Sequence, residues 1–212
     1  MENYAVLRTP QTILYGPNAC DAVGKEAALR GKKALIISDH IMESLGNVGN
    51  LRDKLASERI ESAVYLGVKS EPTDIYVDEA LTVFRNENCD LIISLGGGSC
   101  IDTAKAVAVV ATNGGYIGDY MGGKALAKVA PVPHITLPTT AGTGSEATDV
   151  TVITNTSNDV KMMIKQPVFM PTVAIVDPLL TLSSPKSVTA ATGVDALSHA
   201  VEGYISRRSQ PM

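Results

Sequence analysis

Five short runs of Val, Ile and Leu decide what this chain can fold into: ALIIS (34–38), AVYLGV (63–68), LIISL (91–95), ITL (135–137) and VAIVD (173–177). They are continuous rather than alternating, as strands of a parallel sheet covered on both faces must be. Between the earlier runs lie stretches of helical character, NACDAVGKEAALRG, NVGNLRDKLASER and PTDIYVDEALTVFRNEN, the last opened by Pro72 and Thr73. Strand alternating with helix predicts an α/β domain with a doubly wound parallel sheet.

After VAIVDPLL the texture changes. SSPKSVTAATGVDALSHAVEGYIS holds no strand candidate, and Ser184-Pro185 is a good N-cap and first-turn pair. A boundary is expected near residue 184, with an α/β domain over 1–184 and the start of a helical region over 185–212. At 212 residues and 45% apolar the chain has room for one large domain, or for one domain and the beginning of another.

The net charge is −4, and no Lys/Arg run exceeds pairs such as Lys32-Lys33 and Arg207-Arg208, so no nucleic-acid partner is expected. Cys20, Cys89 and Cys100 are odd in number and lack a C-x-x-C pair, which points to a reducing compartment and gives neither a disulfide frame nor a metal set. The N-terminus MENYAVLRTPQ has no apolar leader core, and no apolar run is long enough to cross a bilayer. No membrane partner and a cytoplasmic location are the expectation.

LIISLGGGSCIDTAKAVAVV (91–110) reads as a buried strand, three glycines and a helix. Glycines there let backbone amides approach a ligand, and the helix N-terminus carries partial positive charge, so a phosphate or pyrophosphate is a natural guest. Ser99 can cap that helix and donate to a phosphate oxygen. A tight turn whose glycines serve packing alone fits the residues equally well, since neither G-x-x-x-x-G-K-[ST] nor G-x-G-x-x-G is present. Asp39 closes the run ALIISD; an acid there can bind an adenosine ribose and repel a 2′-phosphate, favouring NAD over NADP, although a helix N-cap is the commoner use of the position.

ITLPTTAGTGSEATDV (135–150) carries more small hydroxyls and glycines than a turn needs and can present several O–H and N–H groups to a cofactor. Downstream, Lys161 offers a cation, though an isolated lysine is usually only a solvated charge. In a helix through 194–205, Asp195 and His199 stand four apart on one face, about 6 Å from each other, close enough to grip one metal ion. Glu202 shares that face while Leu197, Val201 and Tyr204 lie opposite; a polar face simply turned to water fits the spacing too. The remaining histidines, His40 and His134, are expected in loops near the cofactor region and supply no further ligands.

Taken together, GGGS followed by Ile101, Asp102 and Lys105, then PTTAGTGSEAT, then ATGVDALSHAVEGYIS, resemble the iron-containing (group III) alcohol dehydrogenases of the lactaldehyde reductase and 1,3-propanediol dehydrogenase type, along the whole chain. The resemblance implies a Rossmann-like α/β domain followed by an all-helical domain, with catalysis in the cleft between them. It assigns Asp39 to the ribose, Gly97, Gly98 and Ser99 to the pyrophosphate, and Thr139, Thr140, Thr148, Lys161 and Leu179 to the cofactor lining. It makes Asp195 and His199 the first two ligands of an iron(II) ion, or alternatively zinc, whose remaining histidines would lie on polypeptide beyond this sequence. Two residues depart from the pattern: Cys100 stands where proline is common, and Glu71 where many members have Asn.

The implied reaction is reversible hydride transfer between a small alcohol or aldehyde and NAD, with the metal as Lewis acid and no nucleophilic side chain. Since the metal cage is incomplete, the chain is expected to be a truncated product, inactive by itself; the alternative is an NAD-binding domain without catalytic activity of its own. The terminal helix, with its apolar stripe, is expected to fray, or to pack on the α/β domain or on a second copy in a homo-oligomer.

Overall fold

The computed structural model describes residues 6–207 and 209. The expectations touching 1–5, 208 and 210–212, namely the leaderless N-terminus, Arg208 of the arginine pair and the end of the helical region, lie partly outside the described residues.

Six parallel strands form the sheet: β1 (Thr12–Tyr15), β2 (Lys33–Ile37), β3 (Glu61–Tyr65), β4 (Leu91–Gly96), β5 (His134–Pro138) and β8 (Val173–Val176), in the order β1-β8-β5-β4-β2-β3. All five apolar runs are strands. Alternate residues face opposite sides, and both sides are covered. Ala34, Ile36, Ile93, Leu95, Ile135 and Ile175 pack with helices α1 (Val23–Ala28) and α3 (Asn47–Ser57). Leu35, Ile37 and Ile92 pack with α4 (Asp74–Asn86) and α5 (Gly98–Asn113). Thr73 caps α4 by accepting from the Tyr76 amide, as its place after Pro72 suggested.

From β2 the chain runs outward to β3, then returns to lay β4 on the other side of β2, and continues outward through β5 and β8. The winding direction therefore reverses between β2 and β4. At such a switch point the loops beyond the carboxyl ends of the strands diverge and leave a crevice.

Four of these elements were not foreseen. β1 is a four-residue edge strand with alternating half-exposed residues. Strands β6 (Val150–Asn155) and β7 (Val160–Lys165) form an antiparallel hairpin off the main sheet. A short helix, α2 (His40–Ser44), follows Asp39. His40 and His134 are accordingly not loop residues: His40 begins α2 and His134 begins β5, at the end of the sheet away from the crevice.

Beyond residue 184 the structure holds one helix, α6 (Lys186–Ile205), and none of its residues is buried. Pro185, not Ser184, occupies the N-cap position and makes no side-chain cap; the Ser184 hydroxyl instead donates to the Thr139 carbonyl at 3.2 Å. The helix is continuous to Ile205, and its apolar stripe is not packed on the α/β body, with Leu197 62% and Tyr204 88% exposed. No helix among the described residues is long and apolar enough to cross a membrane.

Candidate functional site

The crevice at the switch point is floored by the start of α5. Its N-cap is Gly97, and hydrogen bonding begins with the amides of Cys100 and Ile101, both to the Gly97 carbonyl. The amides of Gly98 and Ser99 therefore have no intrahelical acceptor, and the helix field there is positive. Ser99 lies within the first turn and does not cap the helix, contrary to expectation. A side chain on Gly98 would stand 3.0 Å from the Thr143 methyl group, so the loop and α5 approach as closely as glycine allows. Gly96, with φ of +152°, turns the chain out of β4; a Cβ there would meet the Cys100 sulfur at 2.6 Å.

Two open cavities meet on this floor. One, of about 410 Å³, is lined by Asp39, His40, Val68, Lys69, Gly97, Ser99 and Cys100. The other, of about 870 Å³, runs past Gly97, Gly98, Ser99, Thr140, Thr148 and Lys161 to Asp195 and His199 on α6. Gly97 and Ser99 belong to both. Of the remaining cofactor candidates, Thr139 is buried with its amide on the Gly96 carbonyl, and Leu179 sits half exposed in a turn after β8; neither lines these two cavities.

Asp39 does serve as a helix N-cap: its Oδ1 accepts from the Met42 amide at 2.9 Å. Its Oδ2 remains on the cavity side with the Cys100 thiol 3.8 Å away. The two uses weighed for this residue are compatible. Burial, reinforced by the Asp39 charge, pushes the Cys100 thiol well up, so it stays protonated.

The wall of the larger cavity is held by a pair the sequence did not single out for this task. Lys105 is fully buried on α5, and its Nζ donates to the Thr148 carbonyl at 2.9 Å, the Thr148 hydroxyl at 3.0 Å and the Val150 carbonyl at 2.8 Å. Asp102, one turn earlier, accepts from the Val152 amide at 3.0 Å, and its carbonyl takes the Thr151 hydroxyl. Together they fasten β6 onto α5. Burial pushes the Lys105 ammonium down to about 8, against the pull of Asp102 3.8 Å away, and the same burial raises the Asp102 carboxyl. Asp102 Oδ1 is buried without a hydrogen-bond partner. A lysine three residues after an aspartate, within a helix buried from Cys100 to Val110, was the only trace of the pair in the sequence.

On the same wall the Lys161 ammonium bonds Glu71 at 2.7 Å, so it is not an isolated charge. Glu71 is positioned by its neighbours: the Pro72 carbonyl accepts from the Thr154 amide at 2.8 Å, and Thr73 bridges Thr154.

Asp195 and His199 face this cavity from one side of α6. A carboxylate and an imidazole are donors suited to iron(II) or zinc. Among the described residues no group of three or more His, Cys, Asp or Glu could close a shell around an ion. The crevice as a whole brings together the free amides of the α5 N-terminus, the Asp39 carboxylate and the two donors Asp195 and His199.

The family model of iron-containing alcohol dehydrogenases matches residues 10–178. The NAD-dependent methanol dehydrogenase of Bacillus methanolicus is 42% identical over 204 residues, covering 96% of this chain and 53% of that protein. Among solved structures, a 1,3-propanediol oxidoreductase superimposes with a TM-score of 0.94 at 40% identity, over 99% of this chain and 55% of that one. The sulfoacetaldehyde reductase of Bifidobacterium kashiwanohense, solved in complex with NAD+, gives 0.89 at 33% identity over 99% and 56%. The chain spans about half the length of the relatives it matches.

Proposed function

The chain belongs to the iron-containing alcohol dehydrogenase family, and from that membership we propose that it binds NAD across the N-terminus of α5 and serves reversible hydride transfer between a small alcohol or aldehyde and that cofactor. One observation carries this reading: the two cavities share Gly97 and Ser99, with Asp39 lining one and Asp195 and His199 lining the other. The pyrophosphate would lie on the Gly98 and Ser99 amides, stabilised by the helix field. Asp39 Oδ2 would accept from the adenosine ribose. The nicotinamide half would lie along Thr140, Thr148 and Lys161, while Thr139 and Leu179 would act from behind the lining.

Asp195 and His199 would hold the divalent cation, iron(II) or zinc. When bound, such a cation supplies Lewis acidity to an alcohol oxygen and eases loss of hydride. Buried Lys105 and Asp102 would keep the cavity wall fixed against α5, so that the ring and the alcohol meet in one geometry. Residues 1–184 would form the cofactor domain and 185–212 the start of a helical one, a division supported by the absence of any buried residue on α6. The exposed stripe on α6 supports assembly with a further apolar surface, as in a homo-oligomer.

Cofactor choice tests the reading. NAD(H) should bind more tightly than NADP(H) in calorimetry, because a 2′-phosphate would face the Asp39 carboxylate, and Asp39→Gly should relax the preference. Equal affinities in the unmodified chain would remove Asp39 from this role. The lack of a third ligand among the described residues favours a second reading, in which these residues bind NAD but catalyse nothing alone. Stoichiometric iron or zinc retained through dialysis, with alcohol-dependent NADH formation, counts against it.

A further inference from the structure

Glu71 and Lys161 are a matched carboxylate and ammonium, 2.7 Å apart, on the wall of the larger cavity between the α5 N-terminus and Asp195/His199. Both side chains are about three-fifths exposed, at 63% and 61%, so the bond itself is easily broken. What the pair fixes is local charge. The Pro72–Thr154 hydrogen bond and the Thr73–Thr154 bridge anchor the backbone beside Glu71, and β7 places Lys161 opposite. With a neutral residue at position 71 this stretch of wall would be cationic; with Glu71 it is balanced.

On the dinucleotide reading above, the nicotinamide half occupies this part of the cavity. Its ring is positively charged in NAD+ and neutral in NADH, while the two phosphates are the same in both. A carboxylate near the ring therefore stabilises one redox state and not the other. We propose that Glu71, held against Lys161, is a specificity-determining residue that keeps the cleft open to the oxidised cofactor by cancelling the Lys161 charge, which alone would disfavour the NAD+ ring.

The test is calorimetric titration of the unmodified chain, Glu71→Gln and Lys161→Met with NAD+, NADH and ADP-ribose, which has both phosphates and no nicotinamide. Removing one unit charge several ångströms from the ring across a wet cleft should change the ratio of the NADH and NAD+ dissociation constants about two- to fivefold, less at high salt. In Glu71→Gln the affinity for NAD+ relative to NADH should fall; in Lys161→Met, which removes the opposite charge, it should rise. ADP-ribose should follow NADH in both variants. If both variants bind both nucleotides with the ratio of the unmodified chain, the proposal is overturned and the dinucleotide reading stands. If the unmodified chain binds none of the three, the dinucleotide reading falls and takes this inference with it.

Discussion

His134 shows how a single residue can carry both a legible and an illegible part. Its sequence position, after Pro133 and before the apolar run, suggested a loop, but it is the first residue of β5, with Nε2 2.9 Å from the Ser94 hydroxyl and Nδ1 buried without a partner. Burial, with a smaller push from the Lys105 charge, drives the imidazole down to about 3. The unfolded ring takes up a proton near pH 6.5, where the folded one stays neutral, so the unfolded state binds more protons and stability must fall as pH drops. Between pH 6 and 5, where few unfolded carboxylates have yet taken up protons, this group should lower the folding free energy measured in urea by about 1 kcal/mol. The loss over that interval should be smaller in a folded His134→Gln variant by about the same amount. Equal slopes for the two proteins would show that another group controls acid stability.

At the scale of elements, what could be read from the sequence follows burial. β2, β4, β5 and β8 lie inside the sheet and are almost wholly buried, so their runs of Val, Ile and Leu stand out, and β3 at one edge was still rich enough to find. β1, at the other edge, exposes Ile13 and Tyr15 and has only four residues, too few for alternation to speak. The β6–β7 hairpin was hidden for a related reason: β7 buries only Met162 and Ile164, and its turn has Asp159 at φ +56° rather than an Asn-Gly signal. Much of the candidate site could be read because glycines and small hydroxyls cluster in sequence. The clamp made by Lys105 could not, because its partners, 43 and 45 residues away, are mostly backbone carbonyls.

The glycine turn itself separates two demands. Gly96→Ala puts a methyl group against Cys100 at a φ that L residues avoid, and should cost about 1–3 kcal/mol of stability. Gly97→Ala meets only the Thr140 side chain at 3.5 Å, an ordinary contact, and should leave the thermal midpoint within a few degrees while weakening nucleotide binding at least about tenfold. A Gly97→Ala chain that binds as before would mean the crevice floor does not contact the ligand.

For the molecule as a whole, the weight of the structure lies in the two cores flanking the sheet, and α6 belongs to neither. Removing residues 185–212 should therefore leave the α/β body folded and still able to bind dinucleotide, and sedimentation should show less self-association once Val194, Leu197 and Tyr204 are gone. Unfolding of the shortened chain would instead make α6 part of one integrated unit and discard a boundary near residue 184. The meeting of the two cavities at Gly97 and Ser99 carries a further consequence for the whole. A ligand laid across that floor is bivalent, and each half, once docked, holds the other at a high effective concentration over its own cavity. Tight binding then needs no deep enclosure at either end. Two shallow, open hollows suffice, and a mononucleotide that fills only one of them gains nothing from the other.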